Sequence, residues 1–127
     1  MISTEDLRHE LAHCTGSENW YKHSLTALVY TDGVKLFAEK AGAYWLLDIV
    51  GTEMLKLVRG DDRFASITMT VTEGNKVVIV ARQVDANGDD VTTYTKPIEY
   101  TDCPVGEWKF FLINDGEQIV MLLISEY

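Results

Sequence analysis

A run that is apolar almost all round follows a helix-start signal in the first half of the chain. Thr31 or Asp32 can cap a helix, and residues 43–48 carry almost no polar side chain. A helix without a polar face has to be covered on several sides. The pattern therefore predicts a buried central helix that starts near residue 31 and continues to about residue 58. Gly42 and Gly51 interrupt the run and predict either a kink or two separate helices.

An amphipathic helix is predicted ahead of this run. Ser3 or Thr4 can cap it, and Gly16 is a natural stop. Its apolar residues recur at i, i+4 and i+7 and share one stripe of the helix: Leu7, Leu11 and Cys14.

The period of the pattern changes to two in the second half of the chain. Ile67, Met69 and Val71 alternate with threonines, which is typical of a half-buried strand. Asn87-Gly88 is a strong hairpin signal, and Pro97 favours an edge position for the strand that contains it. The predicted strands cover residues 67–72, 77–84, 91–101, 107–113 and 118–125.

Helices followed by strands indicate an α+β fold with the helices on one face of a sheet. We expect one α+β domain over residues 1–127, with a helical half at 1–60 and an antiparallel sheet half at 61–127. Two or three N-terminal helices should pack on one sheet of four to five strands, connected as a meander because the turns are short. The strands at 77–84 and 118–125 are apolar on both faces, so a second chain could cover one side.

The charge balance limits the partners. The 20 acidic residues outnumber the 11 basic ones, which gives a formal net charge of −9. Such a surface repels phosphate backbones, so direct nucleic-acid binding is not expected. A partner protein with a basic surface fits this charge, as does a role as an acidic nucleic-acid mimic, whereas plain solubility is the simpler explanation.

Cysteine usage and hydropathy indicate a cytoplasmic protein. Cys14 and Cys103 are too few for a disulfide framework in a chain of 127 residues. We expect Cys14 to act as a small core residue and Cys103 to lie in an exposed loop before Pro104. The sequence shows no apolar run of the roughly 18 residues that a membrane span needs, and its acidic start does not resemble a signal peptide.

The segment His9-Glu10-Leu11-Ala12-His13 matches the H-E-x-x-H zinc signature. Two imidazoles at i and i+4 can bind Zn²⁺, and the glutamate can activate a zinc-bound water. The third ligand of the extended signature would fall at Asn19, which is a poor zinc ligand. Because His9 and His13 lie opposite the leucine stripe, we expect both to face water and predict no metal site.

Asp48 is an acid within the central apolar run. A buried carboxylate has to be paired, hydrogen-bonded or protonated, and in a pocket it could act as an acid or base. Tyr44, Trp45 and His23 could line a ligand pocket with it. Tyr44 and Trp45, with Trp20 and Tyr21, could equally form a partner surface, although aromatic residues at helical spacing more often belong to the core. We expect a structural role for Asp48, because no second catalytic group stands at a readable spacing.

Two segments of the central run, Tyr30–Val34 and Ala38–Asp48, are long enough to be specific. They resemble a family of small bacterial, phage and plasmid proteins that is classed as a domain of unknown function. The resemblance covers most of the chain, including Thr15-Gly16, His23, Tyr100-Thr101-Asp102 and Ser125-Glu126-Tyr127. Since the family has no established activity, it transfers no catalytic or binding residue, and its presence on mobile elements implies an accessory role.

These observations lead us to expect a non-enzymatic cytoplasmic protein that binds another macromolecule, without a cofactor or a membrane. The partner would be a protein with a basic surface, and a homodimer stays open. One alternative is a small-ligand binder or enzyme with a pocket around His23, Tyr44, Trp45 and Asp48. A second alternative is a zinc protein that uses His9 and His13.

Overall fold

The first helix begins at its predicted cap in the computed structural model, which describes residues 2–14, 19–60 and 62–127. This helix, α1 (Thr4–Ala12), has Ser3 as its cap, and the Ser3 hydroxyl accepts a hydrogen bond from the Asp6 amide at 3.1 Å. Leu7 is fully buried, as the stripe predicts. The predicted stop at Gly16 lies outside the described residues.

The central run is helical to residue 58 and breaks at Gly42, so both of these predictions are confirmed. Thr31 caps α2 (Asp32–Ala41), which ends at Gly42 in the left-handed conformation with φ of 64°. Next comes α3 (Tyr44–Ile49), followed by a π-helical turn at Val50–Met54 and a 3₁₀ turn at Leu55–Val58. Within the described ranges, no helix has the length and apolar character that crossing a membrane requires.

Gly51 does not end a helix but allows a close contact. It lies inside the π-helical turn, and the side chain of Thr26 occupies the space that a Cβ would need. The glycine therefore lets the loop before the second strand pack directly on this turn, a role that helix-breaking propensity does not reveal.

Seven strands of the described chain form one mixed sheet in the order β1-β2-β7-β6-β3-β4-β5. Their bounds are β1 (Trp20–Lys22), β2 (Leu28–Thr31), β3 (Phe64–Val71), β4 (Val77–Val84), β5 (Asp90–Ile98), β6 (Gly106–Asn114) and β7 (Ile119–Leu123). The α+β class is confirmed. The predicted count of four to five strands is wrong, because β1 and β2 come from the half at 1–60 that was predicted to be helical.

The sheet is not a simple meander. The hairpins β3–β4, β4–β5 and β6–β7 are antiparallel as predicted, and β5 is an edge strand. The chain then leaves this edge and returns to place β6 on the other side of β3. The pairing of β2 with β7 is parallel, with Leu28 opposite Ile119, so the predicted meander is wrong.

The helices cover one face of the sheet and leave the other open. On the covered face, the ring centroid of Phe37 lies 5.6 Å from that of Trp108 and 5.0 Å from that of Phe110. On the opposite face, Val78 is 41 % and Val84 is 59 % exposed. At β4, the second cover suggested by the apolar residues of 77–84 is therefore absent from the described part of the chain, and we call this side of the sheet the open face. β7 differs, because Val120 and Leu122 on the same side are 6 % and 9 % exposed, so this strand is covered on both faces without a second chain.

Glu53 ties the π-helical turn to the edge of the sheet. Its carboxylate accepts hydrogen bonds from Lys96 Nζ at 2.7 Å and from the Tyr94 hydroxyl at 2.8 Å. The hydrogen bond from Lys96, followed by that from Tyr94, holds the pKa of Glu53 below its ordinary value of 4.5. The same carboxylate, together with burial as the larger cause, raises the pKa of Tyr94.

This lowered pKa predicts a pH-dependent contribution to stability. The unfolded chain binds the proton of Glu53 more tightly, so the stabilisation is complete above pH 4.5 and is lost as the pH falls through the lower folded pKa. We expect Glu53→Gln to lower the denaturant midpoint at pH 7. The difference in midpoint between the variant and the wild type should narrow from pH 4.5 downward. Glu73→Gln, at an exposed turn position, is the control. A gap that stays constant from pH 7 to pH 3 would contradict the assignment.

Candidate functional site

His23 and Asp48, both singled out in the sequence, meet in the structure. His23 follows β1 and is buried, whereas the Asp48 side chain on α3 is 65 % exposed. The distance from His23 Nε2 to Asp48 Oδ1 is 2.7 Å. On the other side of the ring, His23 Nδ1 lies 2.9 Å from the Thr26 hydroxyl. Asp48 lies on the outer side of α3 and is paired with His23, as a carboxylate with a structural role would be.

The order carboxylate, imidazole and hydroxyl resembles a nucleophile activated by a base, but the surroundings of Thr26 favour a structural role. The Thr26 hydroxyl also accepts the Leu28 amide at 3.3 Å and packs against Gly51. The His23 amide donates to the Leu28 carbonyl at 2.8 Å, which closes the loop around the ring. The imidazole therefore links this loop to α3.

Tyr44 and Trp45 do not join this pair. The Tyr44 hydroxyl donates to Glu39 Oε1 at 3.3 Å, and burial, followed by the charge of Glu39, raises the pKa of Tyr44. Trp45 is partly buried and packs against the core cluster. The four residues predicted around one pocket thus divide into separate arrangements, and ligand binding by them stays a prediction.

His9 and His13 lie on the solvent side of α1. Both are exposed, and their ring centroids are 5.1 Å apart in a T-shaped arrangement. Within residues 2–14, 19–60 and 62–127, no three His, Cys, Asp or Glu side chains group closely enough to hold a metal ion. Since two imidazoles alone make a weak site, the proposed zinc chemistry finds no support in this geometry, and metal binding itself stays untested.

Neither cysteine has the surroundings of a reactive thiolate. Cys103 is 2 % exposed, so the expectation of an exposed loop position is wrong, and burial raises its pKa to about 12. Burial also raises the pKa of Cys14, with further contributions from the charges of Glu126 and Asp32. A thiol with a raised pKa is a poor nucleophile at neutral pH.

A carboxylate that the sequence named only as part of the family resemblance occupies the start of α2. Glu126 lies in a 3₁₀ turn (Ile124–Glu126) after β7, and its Oε1 accepts the Thr31 hydroxyl at 2.6 Å and the Leu123 amide at 2.9 Å. Its Oε2 accepts the Gly33 amide at 3.1 Å. Helix starts carry unpaired amides and a positive dipole end, so a carboxylate is favourable here. We call this arrangement of Thr31, Gly33 and Glu126 the α2 junction.

Asp32 lies between Thr31 and Gly33 in the chain and connects the α2 junction to β1. Its Oδ1 accepts the Tyr21 hydroxyl at 2.8 Å, and its Oδ2 accepts the Asn19 amide at 3.2 Å. The hydrogen bond to Asp32 is the main cause that raises the pKa of Tyr21. Each residue of Thr31-Asp32-Gly33 therefore has a distinct contact, which explains why this short segment stands out in the sequence.

A cavity of about 290 Å³ opens on the uncovered face of the sheet beside the α2 junction. Its lining residues come from four strands and two turns: Trp20, Thr31, Ile113, Asp115, Val120, Leu122 and Glu126. We call this cavity the Trp20 pocket. The apolar side chains and the Trp20 indole give it a hydrophobic surface, and its two ionisable residues are both acids.

An aromatic cluster lies next to this pocket on the same face. The ring centroids of Phe64 and Phe111 are 4.9 Å apart, and that of Tyr127 lies 5.2 Å from Phe111 and 6.1 Å from Phe64. Tyr127 is 77 % exposed, and Trp20, across the pocket, is 50 % exposed. Together, Trp20, Phe64, Phe111 and Tyr127 form the aromatic patch of the open face.

The comparisons with known proteins identify a family without an assigned activity. A family model described as "Family of unknown function (DUF6876)" matches residues 5–127. The protein belongs to this family. The match includes both Thr31-Asp32-Gly33 and Ser125-Glu126-Tyr127, the two segments that meet at the α2 junction.

One solved structure has a similar fold. It is the crystal structure of a protein of unknown function from Enterococcus faecalis, with 20 % sequence identity and a TM-score of 0.51. The similarity covers 83 % of this chain and 93 % of that chain. No curated protein matches. The likeness therefore supports the fold and transfers no activity.

The His23 linkage predicts a measurable loss of stability. We expect His23→Ala to lower the free energy of unfolding by about 1–3 kcal/mol, because it removes the bonds to Asp48 and Thr26 and opens a buried space. His9→Ala, at an exposed site on α1, should change it by less than about 0.5 kcal/mol. Urea unfolding followed by circular dichroism measures both, and equal effects would refute the linkage.

The α2 junction makes Gly33 intolerant of a side chain. A Cβ at Gly33 would meet the Glu126 carboxylate and the Leu123 side chain at contact distances that side chains do not adopt. We expect Gly33→Ala to destabilise the fold by about 1–3 kcal/mol, despite the better helix propensity of alanine. Gly74→Ala is the matched control, since a Cβ there meets nothing within 4 Å. A Gly33→Ala protein with the wild-type melting temperature would contradict the close packing of Glu126 and Leu123 against Gly33.

Proposed function

We propose that this protein acts as a non-enzymatic accessory protein that binds another protein through the open face of its sheet. The observation that carries the proposal is the aromatic patch. Trp20, Phe64 and Tyr127 are 50 %, 38 % and 77 % exposed, while the opposite face of the same sheet is sealed by helices. Contiguous exposed apolar surface on a folded protein is typical of an interaction site.

The chemistry of the patch supports a protein as the partner. Aromatic side chains are enriched in the centres of protein interfaces, where they contribute most of the binding energy. Phe64 and Phe111 stand on hydrogen-bonded strands, and Tyr127 follows the turn that Glu126 holds, so these rings need little ordering when a partner binds. Phe111 on β6 lies opposite Leu122 on β7; Phe111 is half-buried and Leu122 is buried, so the exposed apolar surface comes from the aromatic rings.

The net charge of −9 favours a partner with a basic surface. Opposite charges accelerate association and add a salt-dependent contribution to affinity. A nucleic-acid mimic would instead present rows of carboxylates on its docking face. On this face Glu107 lies opposite Thr70 and is paired with Lys109, so the acid there does not belong to such a row. We therefore prefer binding through the apolar patch to mimicry of a phosphate backbone. Two copies of the chain would repel each other, which disfavours a homodimer as the main assembly.

The family resemblance suggests a setting for this activity. Presence on phage and plasmid elements is compatible with a cytoplasmic accessory protein that binds a host component. This part of the proposal rests on the resemblance and on the charge balance, since the family itself carries no assigned activity.

A capture experiment with matched variants tests the proposal. The bait is the immobilised protein, used with host lysate at 50, 150 and 500 mM NaCl. We expect a specific protein to bind the wild type, to be lost from a Trp20→Ser/Tyr127→Ser variant, and to weaken as the salt rises. The control variant, Leu25→Ser/Tyr100→Ser, removes two apolar side chains that are 84 % and 65 % exposed outside the patch, and it should retain the protein.

Three results would contradict this proposal. The first is the absence of any specifically retained protein, and the second is equal retention by the patch variant and the wild type. The third is a stable dimer of the purified protein in light scattering that the patch variant abolishes, because the open face would then be occupied by a second copy. Circular dichroism of each variant establishes that it is folded before capture.

A further inference from the structure

The Trp20 pocket has the size of one long side chain. Its volume of about 290 Å³ lies at the lower limit of ordinary small-molecule pockets, which span roughly 300–1,000 Å³. Ile113, Val120 and Leu122 supply apolar surface, and the Trp20 indole forms a wall. A side chain that fills this space should therefore have an apolar stem.

The two acids that line the pocket favour a ligand group with a positive charge. Asp115 accepts the amides of Glu117 and Gln118 on Oδ1 at 2.9 Å and 2.8 Å, and these hydrogen bonds lower its pKa, so it stays ionised at neutral pH. Both of these hydrogen bonds go to Oδ1 of the carboxylate. Three hydrogen-bond donors contact the Glu126 carboxylate. Since a carboxylate has roughly four acceptor positions, about one remains for a further donor.

Arg63 lies beside the turn after β6, the turn that contains Asp115. Its Nη1 would lie 3.4 Å from a Cβ built at Gly116, beside Asp115, but Arg63 does not line the pocket. It reduces the negative potential at the Asp115 side of the pocket. The Glu126 side has no such neighbour among the lining residues.

We propose that the Trp20 pocket binds an arginine side chain of the partner protein, an inference that rests on the proposed function. The guanidinium group can stack on the indole of Trp20 while its fixed donors reach carboxylate oxygens, and its methylene stem covers the apolar floor. Lysine fits less well, because its strongly hydrated ammonium group gains less from stacking.

Model compounds test the pocket independently of the partner. The probes are N-acetyl-arginine amide and its neutral isostere N-acetyl-citrulline amide, titrated into ¹⁵N- and methyl-labelled protein. We expect the arginine probe to shift the Trp20 indole signal and the methyl signals of Ile113, Val120 and Leu122 to a common saturation point. The citrulline probe should bind at least about tenfold more weakly, since it keeps the shape and loses the charge.

Two variants separate the parts of the site. Trp20→Leu should weaken the arginine probe about tenfold, and Asp115→Asn, which keeps an oxygen acceptor for the turn amides, should weaken it about threefold or more. Tyr100→Leu, at an exposed aromatic residue outside the pocket, should leave binding unchanged. Equal binding of the two probes, or shifts that Trp20→Leu does not alter, would overturn the inference.

Together, the arginine-probe titration and the capture experiment distinguish the pocket inference from the proposed function. If the open face retains a partner but the arginine probe does not bind, the pocket inference is wrong and the proposed function stands. If the probe binds in the pocket but no protein is retained, the chemistry of the pocket is supported and the proposed function is wrong. If a partner is retained, free arginine amide at saturating concentration should weaken its capture from the wild type.

Discussion

The hydrogen bonds of Glu126 at the start of α2 are the constraint on which the arrangement of the open face depends. They join Thr31 and Glu126 across 95 positions of sequence, at the point where the parallel pairing of β2 and β7 ends. The Glu126 carboxylate accepts hydrogen bonds from backbone amides that a helix start otherwise leaves unpaired. Because the turn after β7 is fixed there, Tyr127 lies on Phe111 and Glu126 forms one wall of the Trp20 pocket.

The elements that could be predicted are those whose cause is local. The cap of α2, the break at Gly42 and the alternation of β3 are each decided by a few neighbouring residues, and the structure confirms them. Short strands carry too few positions to show a period of two, which is why β1, with three residues, and β2, with four, were not counted. The parallel pairing of β2 and β7 joins distant segments, and no local pattern encodes it.

The candidate site was predicted in part for the same reason. His23 and Asp48 were singled out because their residue types are unusual for their surroundings, but their hydrogen bond spans 25 positions and appears only in the folded chain. The apolar run predicts a helix that is covered on several sides, whereas the side of α3 that carries Tyr44 and Asp48 faces solvent. Trp20 was singled out as an aromatic residue of a possible pocket or partner surface, but its neighbours in the Trp20 pocket were not, since the walls come from four strands and two turns.

Charge and apolar surface would act at different distances in the binding that we propose. The acidic excess is a property of the whole surface. Several basic residues are already paired with acids, including Lys35 with Glu39 and Arg82 with Asp90. Such exposed pairs contribute little to stability, but they leave the unpaired acids to set the long-range field. That field can attract a basic partner without selecting its orientation. The aromatic patch acts only at contact, so shape and apolar burial there would decide which basic protein stays bound.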